Sequence, residues 1–402
     1  MKIRLVVLQP TSLCNLNCLY CYVPGRRDAR IMSEETLEVV IRAILESDLV
    51  DDQVEFLWHA GEPLTAGLPF YERAVELIAA HNSHARTVWN AIQTNGTLLD
   101  DTWARFLAGH RFSVGLSMDG PSFLHDRQRP TWGGRGSLAR TLRGLHHLRT
   151  HGIEPGALCV LTRKALLHPD ALFEFFHENS IRWLGFNVEE IENEHRTTSL
   201  KEADTSMMVK EYRAFMERIW QLWRSCAPDM VIREFEDIVG LIADKLENPS
   251  YMRAPYETEP FRIITVSRDG DVSTFSPEFA GAASVQYGGF RLGNLHRESL
   301  AAMTASPLSG RLSRDVAEGV RRCRQTCAYF DFCGGDSCPT NTSKTGPWPQ
   351  PRLSPAACIA KPLRTWSWRP LNAPTGNGSQ PVLCERCDPR QGAGRYRCRD
   401  IR

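Results

Sequence analysis

Residues 4–21 read RLVVLQPTSLCNLNCLYC: an apolar strand-like run, a proline, then cysteines at positions 14, 18 and 21. Cys14, Cys18 and Cys21 therefore offer three thiolates from one short loop directly after a first strand. A [4Fe–4S] cluster takes one ligand per iron, normally four cysteines. Three protein ligands leave one iron open, and an open coordination position is where a substrate or cofactor binds. Zinc sites more often use paired C-x2-C units with a fourth ligand close by, and reduced bystander thiols are the plainest alternative. The spacing favours iron–sulfur. Asn15 and Asn17 suit a wrapped, irregular loop, and Tyr20 is placed to cover the cluster or meet an adenine.

Outward from this loop the chain alternates strand and helix patterns. Strands are expected at 4–9, 54–59, 88–94, 112–117, 157–161 and 183–188. Helices are expected between them, the first capped by Ser33 with Glu34 and Glu35 in its first turn. Six βα units imply an α/β fold with a parallel sheet, and six do not complete an eight-fold barrel. An open, partial (β/α)6 barrel of the TIM type follows, its chemistry at the C-terminal strand ends. The expected boundaries are a core at 1–202, a helical linker at 203–254, a cysteine-rich extension at 255–346 and an irregular tail at 347–402. The linker should hold two helices whose Met and Trp residues are core. Asp269-Gly270 marks a hairpin between 261–266 and 272–275. In the tail Pro, Arg, Gly and Ser dominate and apolar periodicity vanishes.

Composition narrows the function classes. The 402 residues carry a formal net charge of +1, which gives no electrostatic case for nucleic acid or an acidic membrane. No apolar run is long enough to span a bilayer, and the start lacks the pattern of a signal peptide. The expected location is cytoplasmic. Thirteen clustered cysteines in such a chain point to metal sites and not to disulfides.

Cys14-x3-Cys18-x2-Cys21, with Tyr20 before the last cysteine, resembles the signature of the radical S-adenosylmethionine (SAM) superfamily. Further pieces follow in order at successive strand ends. Gly61-Glu62-Pro63 resembles that family's GGE motif, with Ala60 in place of the first glycine. Gln93-Thr94-Asn95-Gly96 and Ser117-Met118-Asp119-Gly120-Pro121 resemble its sulfatase-maturase-like branch. The resemblance implies that Glu62 and nearby backbone bind the cofactor's amino group and that Ser117 approaches the ribose. It also implies an arginine on the cofactor carboxylate, for which Arg129 is the candidate and Arg127 the fallback. Tyr20, Gly61, Asn95 and Asp119 complete the expected cofactor site.

Cys323-x3-Cys327-x5-Cys333-x4-Cys338, then Cys358, resembles the SPASM extension of the superfamily, which holds auxiliary iron–sulfur clusters. The usual hairpin cysteine is missing, since residues 227–322 contain none and Thr274-Phe275-Ser276-Pro277-Glu278 stands in its place. One auxiliary cluster is therefore expected, on Cys323, Cys327, Cys333 and Cys358, with Cys338 able to replace Cys358. A zinc knuckle on the same thiolates is the alternative. WHAGEPL, TFSPE, Gly293-Asn294 and CAYFDFCGG together resemble maturases that form cyclophanes in glycine-rich repeat peptides. That resemblance implies reductive cleavage of S-adenosylmethionine to a 5′-deoxyadenosyl radical. The radical takes a side-chain hydrogen from a ribosomally made precursor peptide, and the carbon radical attacks a nearby aromatic ring. It implies an electron donor such as a ferredoxin or flavodoxin, and an auxiliary cluster as acceptor of the last electron. Two readings compete: a sulfatase maturase forming formylglycine from Cys or Ser, and a zinc-stabilised peptide-binding module with no activity.

Overall fold

Six apolar segments lie side by side in the order in which they occur in the chain. They are β1 (Ile3–Leu8), β2 (Val50–Trp58), β3 (Thr87–Thr94), β4 (Ser113–Ser117), β5 (Gly156–Leu161) and β6 (Trp183–Val188), and each pairs with the next in parallel. The computed structural model describes residues 2–335 apart from 191–192, 196, 201–204, 228, 280–281, 283 and 285–286. Helices Glu34–Leu45, Leu68–His81, Asp101–Gly109, Leu138–Thr150 and Pro169–Glu178 carry the chain back between strands. Sequential parallel order with helical crossovers is the partial (β/α)6 arrangement expected from the periodicity.

Local chemistry explains why these segments form. Ser33 accepts a hydrogen bond from the Thr36 amide, and Asp100 accepts one from Trp103, so both following helices begin on satisfied donors. Pro lies in the first turn of Leu68–His81 and of Pro169–Glu178, where its missing N–H costs nothing. β1 is buried on both faces apart from Arg4, as a central parallel strand must be. Its outward residues Val6 and Leu8 pack under the helices with Phe56, Trp58 and Tyr71. Leu5 and Val7 point the other way and line the inside with Leu57, Ala91 and Ile263.

The sheet is wider than six strands. β7 (Val231–Ile232) extends it beyond β6. On the other side β8 (Ile263–Val266) pairs in parallel with β1, and β9 (Asp271–Thr274) and β10 (Gly293–Asn294) follow antiparallel. The hairpin at Asp269-Gly270 is thus built into the barrel sheet, so the expected boundary at 255 does not separate two sheets. Helices Thr205–Cys226 and Arg233–Glu247 fill the linker. Phe215 and Ile219 are buried there and Trp220 and Trp223 pack against the core. Two short helices, Ser122–Gln128 and Arg163–Leu166, have no counterpart in the sequence reading. Among the described residues no helix is long and apolar enough to cross a membrane. The tail from 347, with Cys338, Cys358, Cys384, Cys387 and Cys398, lies outside the described residues.

One buried cation ties the entrance of the sheet together. Arg86 donates from Nε to the Leu45 carbonyl, from Nη1 to Val50 and Asp51, and from Nη2 to Ser47, at 2.6–3.2 Å. These carbonyls cap the end of helix Glu34–Leu45 and the turn into β2. Arg86→Ala strands them, and we expect a loss of about 2–4 kcal/mol of unfolding free energy in urea titration.

A second expectation concerns Glu55, on β2 beside Leu5 and Trp89. Its Oε1 is sealed from solvent with no hydrogen-bond partner, and burial pushes its carboxyl up to about 8. The folded state then keeps a proton that the unfolded chain releases near the ordinary glutamate value. Stability is therefore expected to fall as pH rises from about 4.5 to about 8. Glu55→Gln should flatten that fall, and thermal melts at pH 5 and pH 8.5 check it.

Candidate active site

The loop after β1 carries the three cysteines and is held from two sides. From below, Asn95 Nδ2 donates to Asn15 Oδ1 at 2.8 Å, and Asn15 Nδ2 donates to Thr97 Oγ1 at 2.8 Å. From above, the Asn17 and Leu19 amides donate to the Pro130 and Gln128 carbonyls, and Trp132 Nε1 donates to the Cys14 carbonyl at 2.8 Å. Cys14 Sγ accepts from the Leu16 amide at 3.4 Å and faces Asn95 Nδ2 at 4.0 Å. A sulfur that receives N–H donors is prepared for the thiolate form.

All three thiols are free. Burial pushes Cys18 up to about 12 and raises Cys14 and Cys21 as well. The neighbouring Glu62 carboxylate and the other two thiolates oppose ionisation of Cys14 further. Such a set ionises against added positive charge, which iron supplies. Among the described residues no group of three His, Cys, Asp or Glu side chains gathers tightly enough to hold a single ion. Three ligands to separate irons of a cluster do not need to gather in that way. The donor set fits a cluster better than zinc.

The turn after β2 is locked onto this loop. Ala60 and Gly61 both take positive φ, 74° and 54°. A Cβ on Gly61 would stand 2.5 Å from the Leu13 carbonyl oxygen, so only glycine fits. The Glu62 amide donates to the same Leu13 carbonyl at 2.7 Å. The Glu62 side chain is buried. Its Oε1 accepts from Thr94 Oγ1 and the Leu64 amide, and its Oε2 accepts from the Asn95 amide at 2.7 Å. No cation among the described residues pairs with it, and burial pushes its carboxyl up to about 7. A buried carboxylate with neutral donors and no cation is the group that an incoming ammonium would satisfy.

The opposite side is a network around Asp119, beyond β4. Asp119 lies 3.0 Å from Arg129 Nε, accepts from Arg129 Nη2 at 3.1 Å and accepts from Tyr20 Oη at 2.5 Å. The Val160 amide also donates to it. The Tyr20 ring lies under the Arg129 guanidinium at 5.3 Å. His125 accepts from the Asp119 amide and pairs with Ser137, whose hydroxyl donates to the Arg129 carbonyl. Arg129 has a protein carboxylate as its partner, Asp119 is that partner, and Tyr20 is spent on Asp119. Arg127, the fallback, is exposed in helix Ser122–Gln128. Ser117 accepts from Gln93 Nε2 at 2.9 Å, and Gln93 Oε1 is buried with no partner.

Two further groups at the strand ends were given no role in the sequence reading. Tyr22 Oη and His59 Nε2 are 3.2 Å apart, with burial holding His59 down to about 4 and hence neutral. Past β6, buried Glu189 meets His195 at 3.2 Å and accepts from the Ser199 amide. Position alone could have flagged them, since His59 and Glu189 each directly follow a strand.

In the extension, Cys323 and Cys327 sit at the end of helix Pro307–Thr326, where the Cys327 amide donates to the Cys323 carbonyl at 2.8 Å. Cys333 is buried one short helix later, before Gly334 and Gly335, both of positive φ. The hairpin side is filled by aromatic rings: Phe275 is buried, Phe279 stacks on Phe290 at 4.5 Å and Tyr287 on Phe290 at 5.1 Å.

Asp119→Ala would leave the Arg129 cation buried without its counter-charge. We expect a loss of roughly 3–5 kcal/mol, read by urea unfolding, and recovery of much of it in Asp119→Ala/Arg129→Met.

Comparison with known proteins agrees with this geometry. Residues 8–163 match the family model of the Radical SAM superfamily. An uncharacterized protein of Synechocystis sp. is 38% identical over 338 residues, 83% of this chain and 83% of its own length. The serine-type anaerobic sulfatase-maturating enzyme of Klebsiella aerogenes is 30% identical over 348 residues, 85% of this chain and 81% of its own. The solved structure of native anSMEcpe with bound AdoMet and Cp18Cys peptide is 25% identical with a TM-score of 0.70, covering 85% of this chain and 91% of that one. The three-cysteine loop, the buried Glu62 beneath it and these matches lead to one conclusion: the chain belongs to the radical SAM superfamily, an enzyme whose cofactors are a [4Fe–4S] cluster and S-adenosylmethionine.

Proposed function

We propose that this enzyme matures a ribosomally made precursor peptide, removing a side-chain hydrogen and joining that carbon to a nearby aromatic ring as a cyclophane. A peptide substrate is supported by anSMEcpe, which binds AdoMet and a peptide and shares this fold over most of both chains. The observation that carries the finer reading is the aromatic-filled hairpin. Residues 227–322 hold no cysteine, and Phe275 occupies the stretch where sulfatase maturases are expected to place a cluster ligand. The chain thereby departs from the full cysteine set of those enzymes.

In this reading Cys14, Cys18 and Cys21 hold the catalytic cluster and leave one iron for the cofactor. Together the cluster and S-adenosylmethionine supply a 5′-deoxyadenosyl radical. Glu62 takes the cofactor ammonium, with Gly61 and Asn95 setting the backbone beside it. Ser117, oriented by Gln93, faces the ribose. Arg129 and Asp119 act as a pair that fixes Tyr20 over the loop and keeps water from that side. Cys323, Cys327 and Cys333 hold one auxiliary cluster, with Cys338 or Cys358 as fourth ligand.

The formylglycine reading is kept alive by the identity to the Klebsiella aerogenes enzyme over 85% of this chain. Iron analysis and peptide mass separate the two. Anaerobically reconstituted protein should hold roughly eight irons, two clusters of four. About twelve irons, or conversion of a sulfatase-derived peptide to formylglycine, would overturn the cyclophane reading. About four would remove the auxiliary cluster. Changing Cys14, Cys18 and Cys21 together to Ala should abolish 5′-deoxyadenosine formation with circular dichroism unchanged. Cys333→Ala should keep uncoupled cofactor cleavage and lose the product that is lighter by two hydrogens.

A further inference from the structure

Side chains along β6 alternate between two surroundings. Leu184 and Phe186 are buried in the core under the helices, so Gly185 and Asn187 turn to the inner face of the sheet. β5 follows the same rule. Ala157, Cys159 and Leu161 belong to that core, while Leu158 and Val160 turn inward and are only half-buried. Strand pairing sets Ser117, Leu158 and Gly185 in one row across the inner face. Leu184 pairs with Ile232 of β7, so the next residue, Arg233, arrives beside Gly185. The missing side chain at 185 is what admits it. A Cβ there would stand 3.0 Å from the Arg233 guanidinium carbon and 2.9 Å from Leu158 Cδ2.

The guanidinium is fixed along one edge. Its Nε donates to Glu234 Oε1 at 3.1 Å. Its Nη2 donates to Glu234 Oε1 at 2.7 Å, to Asn187 Oδ1 at 3.1 Å and to the Phe186 carbonyl. Glu234 is fully buried and also accepts from the Phe186 amide at 2.9 Å. The other edge is open. Nη1 has no partner among the described residues, and the side chain keeps 16% exposure. Glu234 already balances the charge, so what remains is a pair of N–H donors and not a net positive charge. A carboxylate arriving there would meet a second carboxylate, whereas a neutral carbonyl oxygen meets only the donors. Gln93, inward like Ala91 on β3, shows the opposite gap: it is 5% exposed and its Oε1 is sealed with no partner. The inner face is thus unfinished in polar partners, as a face that receives a polar ligand is.

We infer that Arg233 is a substrate-binding residue, whose free Nη1 edge donates to a backbone carbonyl oxygen of the peptide in the cleft inside β5 and β6. The inference rests on the peptide substrate proposed above. In that reading the cofactor runs from Glu62 at the end of β2 to Ser117 at the end of β4. The inner faces of β5 and β6, beyond Ser117, are left to the substrate. Leu158 offers it an apolar floor, and Arg233 offers a directed hydrogen bond that fixes its depth in the cleft.

The test uses the full-length reconstituted enzyme and two probes. One is a peptide of glycine, leucine and tryptophan, acetylated and amidated at its ends, and the other is the Cp18Cys peptide that anSMEcpe binds. The first has no charge and no side-chain carbonyl, so a carbonyl that Arg233 meets in it is backbone. KM and kcat for each peptide are read from 5′-deoxyadenosine formation, and cofactor affinity from equilibrium titration. Arg233→Lys keeps a cation beside Glu234 and loses the second arm of the fork. It should raise the peptide KM about tenfold, with kcat falling far less and cofactor affinity within about twofold of wild type. Gly185→Ala leaves both charges in place and pushes the guanidinium off the strand, so it should raise KM in the same way and serves if the lysine variant does not fold. A wild-type peptide KM in either folded variant overturns the assignment. So does a loss of cofactor affinity equal to the loss for peptide, which would give Arg233 to the cofactor. Wild-type enzyme that cleaves the cofactor and binds neither peptide would refute the peptide reading itself, an outcome distinct from failure of Arg233.

Discussion

The site depends on the burial of Glu62 beneath the cysteine loop. Its amide holds the Leu13 carbonyl, and its two carboxylate oxygens accept from the loop after β3. One residue therefore joins the ends of β1, β2 and β3. The join requires the backbones to touch, which is why position 61 has no room for a Cβ. A buried carboxylate is costly unless it is hydrogen-bonded and finds a cation. The protein supplies the hydrogen bonds, and among the described residues it supplies no cation. In the proposed function, affinity for the cofactor and rigidity of the loop rest on the same side chain.

The Asp119–Arg129 pair does the matching work on the other side. Asp119 gathers a guanidinium, a phenol and an amide, so the ends of β4 and β5 and the cysteine loop become one unit. Arg129 also extends a chain of contacts through Ser137 to His125. Segment 128–132 consequently lies along the cysteine loop, and Trp132 reaches the Cys14 carbonyl. One face of the loop turns toward Asn95 and Glu62, and on the other Trp132 meets solvent. A single loop separates the two.

Much of this was legible in the chain. Apolar runs and caps placed all six core strands and their helices, because period and N-cap chemistry are local. The cysteine spacing and the Gly61-Glu62 turn were legible for the same reason, as each motif lies within one loop. The contacts among Arg129, Tyr20 and Asp119 were not. Tyr20 and Asp119 are 99 residues apart, and nothing in either neighbourhood announces the other. The contact of Tyr22 with His59 and that of Glu189 with His195 were missed likewise.

The sequence by itself determined the fold class, the three-thiolate loop and the chemistry that such a loop performs. These follow from residue type and spacing, which survive without coordinates. Only the tertiary structure decided that β8 joins β1, so that the hairpin widens the barrel sheet and does not found a second one. It also decided that Arg129 is neutralised from within by Asp119, and that Arg26 and Arg27 cover the ring of Trp132. Pairing between charges depends on distance, and distance between remote segments is set by how the strands register, which no local pattern encodes.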